Sequence, residues 1–469
     1  MSTLVQRLSA NSTRIQFILL SLLLLLLPFE MYPRVELYGV AIRLSQVVGA
    51  LLILFCLPIL IKNWRDWLNN PWVLLALFVL VSALSAALAL SKTKGLLVTS
   101  FYAFVFVLAY AVDQTFSLRH SALFKKLIFG IGLVVVVFCL YQFIGDTLGV
   151  SSNYTLLNVR YTKLIFGFPR VQGFSLEPLY LANYLLIPFC LALVSYIFSS
   201  KRLEAVLAFV FLTTIWLTVA RGAYLGVFAV LFGLSIVMIY QRRWRQLAVT
   251  LGIASLSLLL AFGMIRASGS FAKQLPVSTT VPSNLQTNIP QQGIDADGNT
   301  TRLLEHTTNF SSQTSVSDRL QSSETAIVLV QSNPIIGVGP GNFGRYVVKA
   351  YPATFVDPNQ IANNETLEIL AEVGIIGFAL LVTFALTLLW RGLHFSVKQN
   401  GREANIWFFA TAAMLAAFVV QWQTFSTLYV THIWVMIGVY LAVLHQSKFT
   451  HNARFAKTLS AYKKDQSKE

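Results

Sequence analysis

The most constraining feature of the sequence is a series of apolar runs, each about 17 to 22 residues long. As an α-helix, a run of this length covers the roughly 30 Å of hydrocarbon in a bilayer. The chain of 469 residues is 56% hydrophobic and only 12% charged, which is too apolar for a soluble domain. These observations predict an all-α polytopic membrane protein with about twelve transmembrane helices. We expect the helices at residues 15–31, 40–61, 72–91, 95–112, 125–145, 178–199, 204–220, 222–240, 246–265, 370–390, 404–424 and 427–445.

The basic residues predict how the chain is oriented. The formal net charge is +16, and lysines and arginines cluster in the N-terminal segment, in alternate short loops and in the C-terminal tail. By the positive-inside rule these segments are cytoplasmic, so both termini are expected there. The charge then orients the protein and contacts anionic membrane lipid, and no nucleic-acid partner is predicted. The clusters include Arg7, Arg14, Lys62, Arg65, Arg119, Lys125, Lys126, Lys201, Arg202, Arg242, Arg243, Arg245, Arg391, Lys398, Arg402, Lys448 and Arg454.

The first apolar run has a basic start but no small-residue cleavage site, so we expect a retained helix rather than a cleaved signal peptide. All three cysteines, Cys56, Cys139 and Cys190, fall inside apolar runs. This placement indicates buried free thiols and offers neither a disulfide framework nor metal-ligand spacing. We therefore predict no metal site and no cofactor.

Two long loops face away from the cytoplasm in this topology, and they define the expected domain organisation. The short connection from Ala220 to Gly222 predicts a tight hairpin between two of the helices. The five expected parts are helices one to five in 1–145, an outer loop with helices six to nine in 146–265, a large periplasmic loop domain in 266–369, helices ten to twelve in 370–445 and a basic cytoplasmic tail in 446–469.

The large loop contains several distinct segments. Residues 293–299 resemble part of a calcium loop but lack its downstream bidentate glutamate, which indicates a mobile turn. Residues 333–343 contain three glycines and two prolines, which predicts a shaped turn; without a Lys-Ser/Thr ending this is no phosphate loop. Between them, residues 317–332 predict an amphipathic helix lying on the membrane or on the other helices. Its expected apolar positions are Leu320, Ala326, Ile327 and Val330.

The end of the large loop runs directly into an apolar helix, at residues 363–377. Its three carboxylates, Glu365, Glu368 and Glu372, share one helix face. They repel one another unless a cation or hydroxyl groups lie opposite. Two glycines follow in this stretch and predict a close approach to another helix. A charged helix start at a membrane surface is a candidate site.

Four arginines on the predicted outer face are candidate ligands for an anion: Arg170, Arg221, Arg319 and Arg345. Arg221 is the most informative, because an ionisable residue at the tip of a short hairpin is costly unless it is paired. Guanidinium is also the best bidentate partner for phosphate. The alternative interpretation is an interfacial anchor that extends to lipid headgroups.

Several segments together resemble the O-antigen ligase and polymerase superfamily of bacterial envelope proteins. The similarity covers roughly residues 165–380, and the arrangement of apolar runs covers the rest. It implies a GT-C-like glycosyltransferase in the bacterial cytoplasmic (inner) membrane, with its active site facing the periplasm or exterior. The segments that carry the resemblance are 170–174, 177–178, 218–222, Arg319 with 334–341, and 363–377.

The resemblance also implies a reaction. A glycan on undecaprenyl pyrophosphate is the donor, and a hydroxyl of an acceptor glycan attacks its anomeric carbon with inversion, without a metal. The lipid pyrophosphate leaves, and fixed cations aimed at it stabilise the transition state. Arg221 and Arg319 match the two arginines that the family uses in this way, and Arg170 is a third expected pyrophosphate contact.

The acceptor hydroxyl must lose a proton to a base within hydrogen-bond reach. The family usually has histidine at the position of Asn363, and asparagine cannot act as a base, although it can hold a sugar hydroxyl. We expect Glu365 or Glu368 to replace the histidine, with Glu365 favoured because it lies nearest the start of the segment. Asn363 completes the predicted catalytic set.

Further residues are candidates for the glycan or the proton: Asn364, Glu177, His432 and, more weakly, His306. Capping of a helix start is the alternative for Glu177, which precedes a proline. Packing between helices is the alternative for His432.

The favoured function is a polymerase that joins lipid-linked repeat units, with a chain-length regulator and a flippase as expected partners. A ligase to lipid A-core or protein is the close variant, and Asn363 disfavours it because lipid A-core ligases keep the histidine. A transporter, such as a bicarbonate-uptake protein, is the alternative from another class. The predicted spans carry few charges of the kind that mark ion paths, which argues against transport.

Overall fold

The computed structural model describes residues 2–31, 34–37, 40–62, 71–272, 314–350, 358–395, 397 and 401–447. The expected turn at 293–299, His306 and most of the basic tail lie outside these residues. The described helices of eight or more residues are α1 (Ser2–Leu26), α2 (Leu44–Lys62), α3 (Trp72–Leu88), α4 (Lys92–Thr115), α5 (Ser121–Thr147), α6 (Pro178–Ser199), α7 (Arg202–Leu217), α8 (Arg221–Tyr240), α9 (Trp244–Ala272), α10 (Thr314–Ser332), α11 (Phe343–Ala350), α12 (Glu365–Leu393), α13 (Arg402–Gln421) and α14 (431–447).

The protein is helical and polytopic, as expected. Eight of the described helices are long and apolar enough to cross a membrane: α2, α4, α5, α6, α8, α9, α12 and α13. The apolar parts of α1 and α3 are shorter, as are α7 and α14. Each predicted apolar run therefore falls on a described helix, while the count of twelve crossings stays a prediction.

A short β-hairpin lies between α1 and α2 of the otherwise helical chain that the structure describes. Strand β1 (Arg34–Leu37) pairs antiparallel with β2 (Val40–Arg43), so the run predicted as a helix from residue 40 begins as a strand. The preceding helix ends at Leu26 rather than at residue 31. Pro28 follows closely and cannot donate a helical hydrogen bond, whereas β-branched residues in β2 favour an extended backbone.

The described chain forms two compact units. The first contains residues 1–26, 44–125 and 319–469. In it α3 packs against α4 and α12, and α2 packs against α1 and α4. Gly95 on α4 allows a close approach, because a Cβ atom there would lie 2.8 Å from the Cβ of Ala86 on α3.

The second unit contains residues 27–43 and 126–318. Its centre is α6, in which every residue from Pro178 to Ile197 is buried. Helices α7, α8 and α9 pack around it. A helix that is apolar on all sides is expected in such a position.

Helix α12 is broken at Gly374, which has a φ of 72° and a ψ of −175°. Residues 334–339 fill the break: the Val338 and Gly339 amides donate to carbonyls of α12 at 2.9 and 2.8 Å, and Ile375 donates to Pro334 at 2.9 Å. Only glycine fits, because a Cβ atom at Gly374 would overlap the Ile335 carbonyl. The sequence predicted a continuous helix here, with this glycine serving helix–helix approach.

Candidate functional site

The predicted site residues are divided between the two units. Arg170, Glu177 and Arg221 lie in the second unit. The first unit holds the others: Arg319, Asn363, Asn364, Glu365, Glu368 and His432. That Arg221, Arg319 and Glu365 act on one substrate therefore stays a prediction, and each unit is described separately.

In the second unit, Arg221 is the first residue of α8, directly after the turn 218–220. Val219 in this turn has a φ of 46°, an uncommon conformation for a β-branched residue. The Tyr224 hydroxyl donates to the Trp216 carbonyl at 3.0 Å and so ties the first turn of α8 to the end of α7. A strained turn that is fixed in this way is a frequent feature of functional sites.

Arg170 binds this turn through two hydrogen bonds. Its Nε donates to the Thr218 carbonyl at 3.0 Å and its Nη2 to the Val219 carbonyl at 3.2 Å. The guanidinium also lies 4.4 Å from the centre of the Phe166 ring and 5.5 Å from that of Tyr161. Burial lowers the Arg170 pKa to about 10. Arg170, which was expected to contact pyrophosphate, thus binds backbone carbonyls of the protein itself.

Two buried glutamines fix the loop that carries Arg170, residues 170–174. The Gln142 side-chain oxygen accepts hydrogen bonds from the backbone amides of Gln172 and Gly173 at 3.1 and 2.7 Å. The Gln172 side chain donates to the Leu176 carbonyl at 2.8 Å. Gly173 has a φ of 60°, which glycine adopts without strain. Sequence reasoning missed Gln142, because it lies near the end of a predicted apolar run.

Glu177 lies at the start of α6, and it is exposed. It makes no capping hydrogen bond to the helix, which was the alternative role for this residue. Its carboxylate accepts a hydrogen bond from Tyr161, and burial together with this carboxylate raises the Tyr161 pKa to about 12. Buried Glu30 lies nearby and forms an ion pair with Arg43 at 3.6 Å. Tyr161 and Glu30 were not predicted as site residues.

In the first unit, Glu365 holds the segment before α14. Its Oε2 accepts hydrogen bonds from the backbone amides of Thr427 and Leu428, the latter at 2.8 Å. Its own amide donates to the Trp422 carbonyl at 2.8 Å. The Glu365 side chain is 3% exposed. The residue favoured as the base is therefore buried, and its hydrogen bonds order a loop.

Glu368 is also buried. It has both a hydroxyl and a cation near it, the two kinds of group expected to offset the repulsion among the three carboxylates. Its Oε2 accepts from the Ser426 hydroxyl at 2.6 Å and from the Ala362 amide at 2.8 Å. Lys94 attracts this carboxylate electrostatically, and its Nζ donates to the Asn359 side chain at 2.9 Å. Sequence reasoning missed Lys94, although a lysine in a short outer loop with little other charge was a signal.

Glu372 binds the glycine-rich turn. Its two carboxylate oxygens accept hydrogen bonds from the amides of Gly341 and Phe343, at 2.7 and 3.0 Å. Phe343 is the first residue of α11, so the carboxylate lies at a helix N-terminus, where negative charge is favoured. Glu372 therefore holds the backbone of the glycine-rich turn against α12.

The two asparagines have different roles. Asn364 is the N-cap of α12, and its side-chain oxygen accepts from the Leu367 amide at 3.1 Å. Its side-chain nitrogen donates to the Gln423 carbonyl at 3.2 Å. Asn363 has a φ of 56°, and its half-buried side chain makes no hydrogen bond to the part of the chain that the structure describes. Asn363 is the more accessible candidate for a sugar hydroxyl.

The remaining candidates lie on helices of the first unit. Arg319 is half-buried on α10, and His432 is buried in the first turn of α14, where its ring faces Phe418. Helix α10 has the expected extent, but Leu320 and Ile327 are exposed. Among the α10 side chains that the structure describes, Ala326 is buried as expected, and Ser322, Thr325 and Leu329 are buried as well.

Comparison with protein families gives one result that bears on these residues. A family model described as O-antigen ligase matches residues 205–382. This match confirms the resemblance to the O-antigen ligase and polymerase superfamily. A comparison with curated proteins finds no match. The matched segment includes Arg221, Arg319 and the start of α12, and it begins after Arg170 and Glu177.

The family match supports a membrane glycan-processing function that uses lipid-linked glycans. It also favours a glycosyltransferase-like enzyme, and the apolar helices fit a multi-pass membrane protein. Within the described residues, no group of His, Cys, Asp or Glu side chains could hold a metal ion.

Proposed function

We propose that the protein is a membrane glycosyltransferase that joins lipid-linked oligosaccharide repeat units into a polysaccharide. The donor is a glycan on undecaprenyl pyrophosphate, and transfer takes place at the outer face of the cytoplasmic membrane with inversion. One observation carries the proposal: Arg221, within the matched segment, follows a strained turn that Arg170 fixes by two hydrogen bonds. A cation held in place before the reaction stabilises the charge that develops on a leaving pyrophosphate.

The local structure explains why Arg221 suits this role. As the first residue of α8 it lies at the positive end of a helix dipole, where a cation is unfavourable unless an anion is present. Backbone amides at the first residues of a helix can bind the same anion. Arginine and amides together form a receptor for phosphate.

The direct experiment combines the purified protein in lipid with a synthetic undecaprenyl-pyrophosphate repeat unit. A polymerase produces a ladder of products that grow by one repeat unit on the lipid carrier. A ligase forms product only when an acceptor lipid or protein is added, and it transfers one donor glycan to each acceptor site without forming a ladder. If neither product forms, the transferase proposal is refuted. Uptake of a solute into liposomes would then favour a transporter.

Two further parts of the proposal have separate tests. The anomeric configuration of the new linkage, read by NMR, must be opposite to that of the donor linkage. Metal independence predicts full activity after treatment with a chelator, and a loss that is restored by added divalent cation would contradict it.

A further inference from the structure

The candidate bases differ in how their carboxylates are used. Glu365 and Glu368 are buried, and each accepts two hydrogen bonds that hold neighbouring segments of the first unit. A carboxylate in such a position is poorly placed to receive a proton from a sugar in solution. Glu177 is exposed, and it lies in the unit that contains Arg221.

We propose that Glu177 is the general base that deprotonates the acceptor hydroxyl, and that Tyr161 is its positioning residue. This inference rests on the proposed transferase function and names a residue of its mechanism. It replaces the sequence-based preference for Glu365, whose carboxylate orders the segment before α14.

A chain of contacts connects this base to the predicted pyrophosphate site. The Tyr161 hydroxyl donates to Glu177, and the Tyr161 ring lies under the Arg170 guanidinium. Arg170 in turn binds the carbonyls of Thr218 and Val219, directly before Arg221. The Arg170 guanidinium is attracted by the charge of Glu177 and repelled by that of Arg221, so both charges lie near it. Base and leaving-group cation thus lie at the two ends of one series of contacts.

The chemical step balances with the groups present. The acceptor oxygen forms a bond to the anomeric carbon while its proton moves to the Glu177 carboxylate. The bond from the anomeric carbon to the phosphate oxygen breaks, and its electron pair leaves with the lipid pyrophosphate near Arg221. Because the transition state of glycosyl transfer resembles an oxocarbenium ion, the hydroxyl becomes acidic late, and a carboxylate suffices as the base.

The charges around Glu177 come from several elements. Tyr161, a hydrogen-bond donor to Glu177, and Arg170, a cation near it, lie on the loop before α6. Glu30 lies nearby and is paired with Arg43. Tyr224 of α8 completes the group of titratable residues around Arg170.

The test compares Glu177→Gln with Glu324→Gln, an exposed glutamate on α10 that serves as the matched control. Steady-state kinetics with the synthetic donor should show kcat lowered by about 10²- to 10⁴-fold for Glu177→Gln, and no change for the control. In the wild type the rate should fall at low pH as the base is protonated. This acid limb should be absent from the residual activity of Glu177→Gln.

Two further variants separate chemistry from folding. Azide needs no deprotonation, so added azide should restore turnover to Glu177→Ala and yield a glycosyl azide with inverted configuration. Tyr161→Phe removes a donor to the ionised carboxylate, so its acid limb should move to higher pH while its thermal stability stays close to that of the wild type. If the Glu177 variants do not fold, the acid limb of Tyr161→Phe decides the test.

The outcomes distinguish the two levels of the proposal. If the wild type transfers no glycan, the function and the base both fail. If the wild type is active and Glu177→Gln keeps its kcat and its acid limb, only the base assignment is overturned. Glu177→Ala could also lose activity without azide rescue while Tyr161→Phe keeps the pH profile of the wild type. That combination would show a structural role for Glu177 and would also overturn the assignment.

Discussion

The Arg170 side chain donates a hydrogen bond of 3.0 Å to the backbone carbonyl of Thr218. The two residues are far apart in sequence, and this bond joins the loop before α6 to the turn between α7 and α8. A second bond of 3.2 Å to Val219 makes the contact bidentate. The planar guanidinium fits two neighbouring acceptors at once, which a lysine cannot reproduce.

Replacing Arg170 by lysine should therefore impair the enzyme although the charge remains. We expect kcat to fall at least tenfold, because the strained turn before Arg221 loses its external support. Arg160→Lys is the matched control, since Arg160 is exposed on the same loop. Equal activity of the two variants would mean that the turn keeps its conformation without Arg170.

Arg221 itself should contribute directly to the transition state. Arg221→Ala should lower kcat/KM by an amount that corresponds to about 2–4 kcal/mol, the usual effect of removing one electrostatic stabiliser. Arg221→Lys should retain part of the activity, because a point charge replaces a bidentate donor. Arg119→Ala is the control, since Arg119 is exposed and belongs to a predicted cytoplasmic cluster. Normal product length and rate for Arg221→Ala would refute the pyrophosphate contact.

The helices of this protein were predictable from the sequence because the hydrocarbon core of a membrane permits few backbone conformations. Backbone groups must pair internally, so each apolar run becomes a helix. The loop helix α10 was predictable from its period, but its inward face was not. Leu320 and Ile327 are exposed, whereas Ser322 and Thr325 are buried, so period alone did not identify which side meets the core.

The site was predictable in its residue types and less so in their roles. Arginines and carboxylates near a membrane surface stand out because each costs energy unless it is paired. Which partner each one takes depends on segments distant in sequence, such as residues 426–428 for Glu365 and Glu368. Those partners are backbone amides and a single hydroxyl, which leave no distinctive pattern in a sequence.

Glu372 should matter for stability. Glu372→Gln leaves one carbonyl oxygen for the two amides, of Gly341 and Phe343, that the carboxylate now binds. We expect a loss of about 1–3 kcal/mol, since a buried amide is left without an acceptor. Thermal unfolding of the purified protein in detergent measures it, with Glu324→Gln as control. Identical unfolding temperatures would contradict the role of this carboxylate.

The orientation of the chain is open to a labelling experiment. The basic clusters predict both termini in the cytoplasm and the large loop outside. A single cysteine introduced at residue 300 should react with a membrane-impermeant maleimide in intact cells, and one at residue 455 should react only after lysis. The reverse pattern would place the whole candidate site on the wrong side of the membrane.

The break in α12 gives the sharpest test of the fold, because two alanine substitutions should have opposite effects. At Gly374 a Cβ atom would overlap the Ile335 carbonyl, and the φ of 72° is unfavourable for alanine. Backbone strain of roughly 1–3 kcal/mol adds to this overlap, so Gly374→Ala should lower the unfolding temperature and displace the turn 334–339 from the helix. Gly130→Ala on α5 should be neutral or stabilising, since no atom lies within 4 Å of a Cβ there and alanine favours a helix. If Gly374→Ala is as stable as Gly130→Ala, α12 must be continuous at this point, and residues 334–339 cannot pair with it as described.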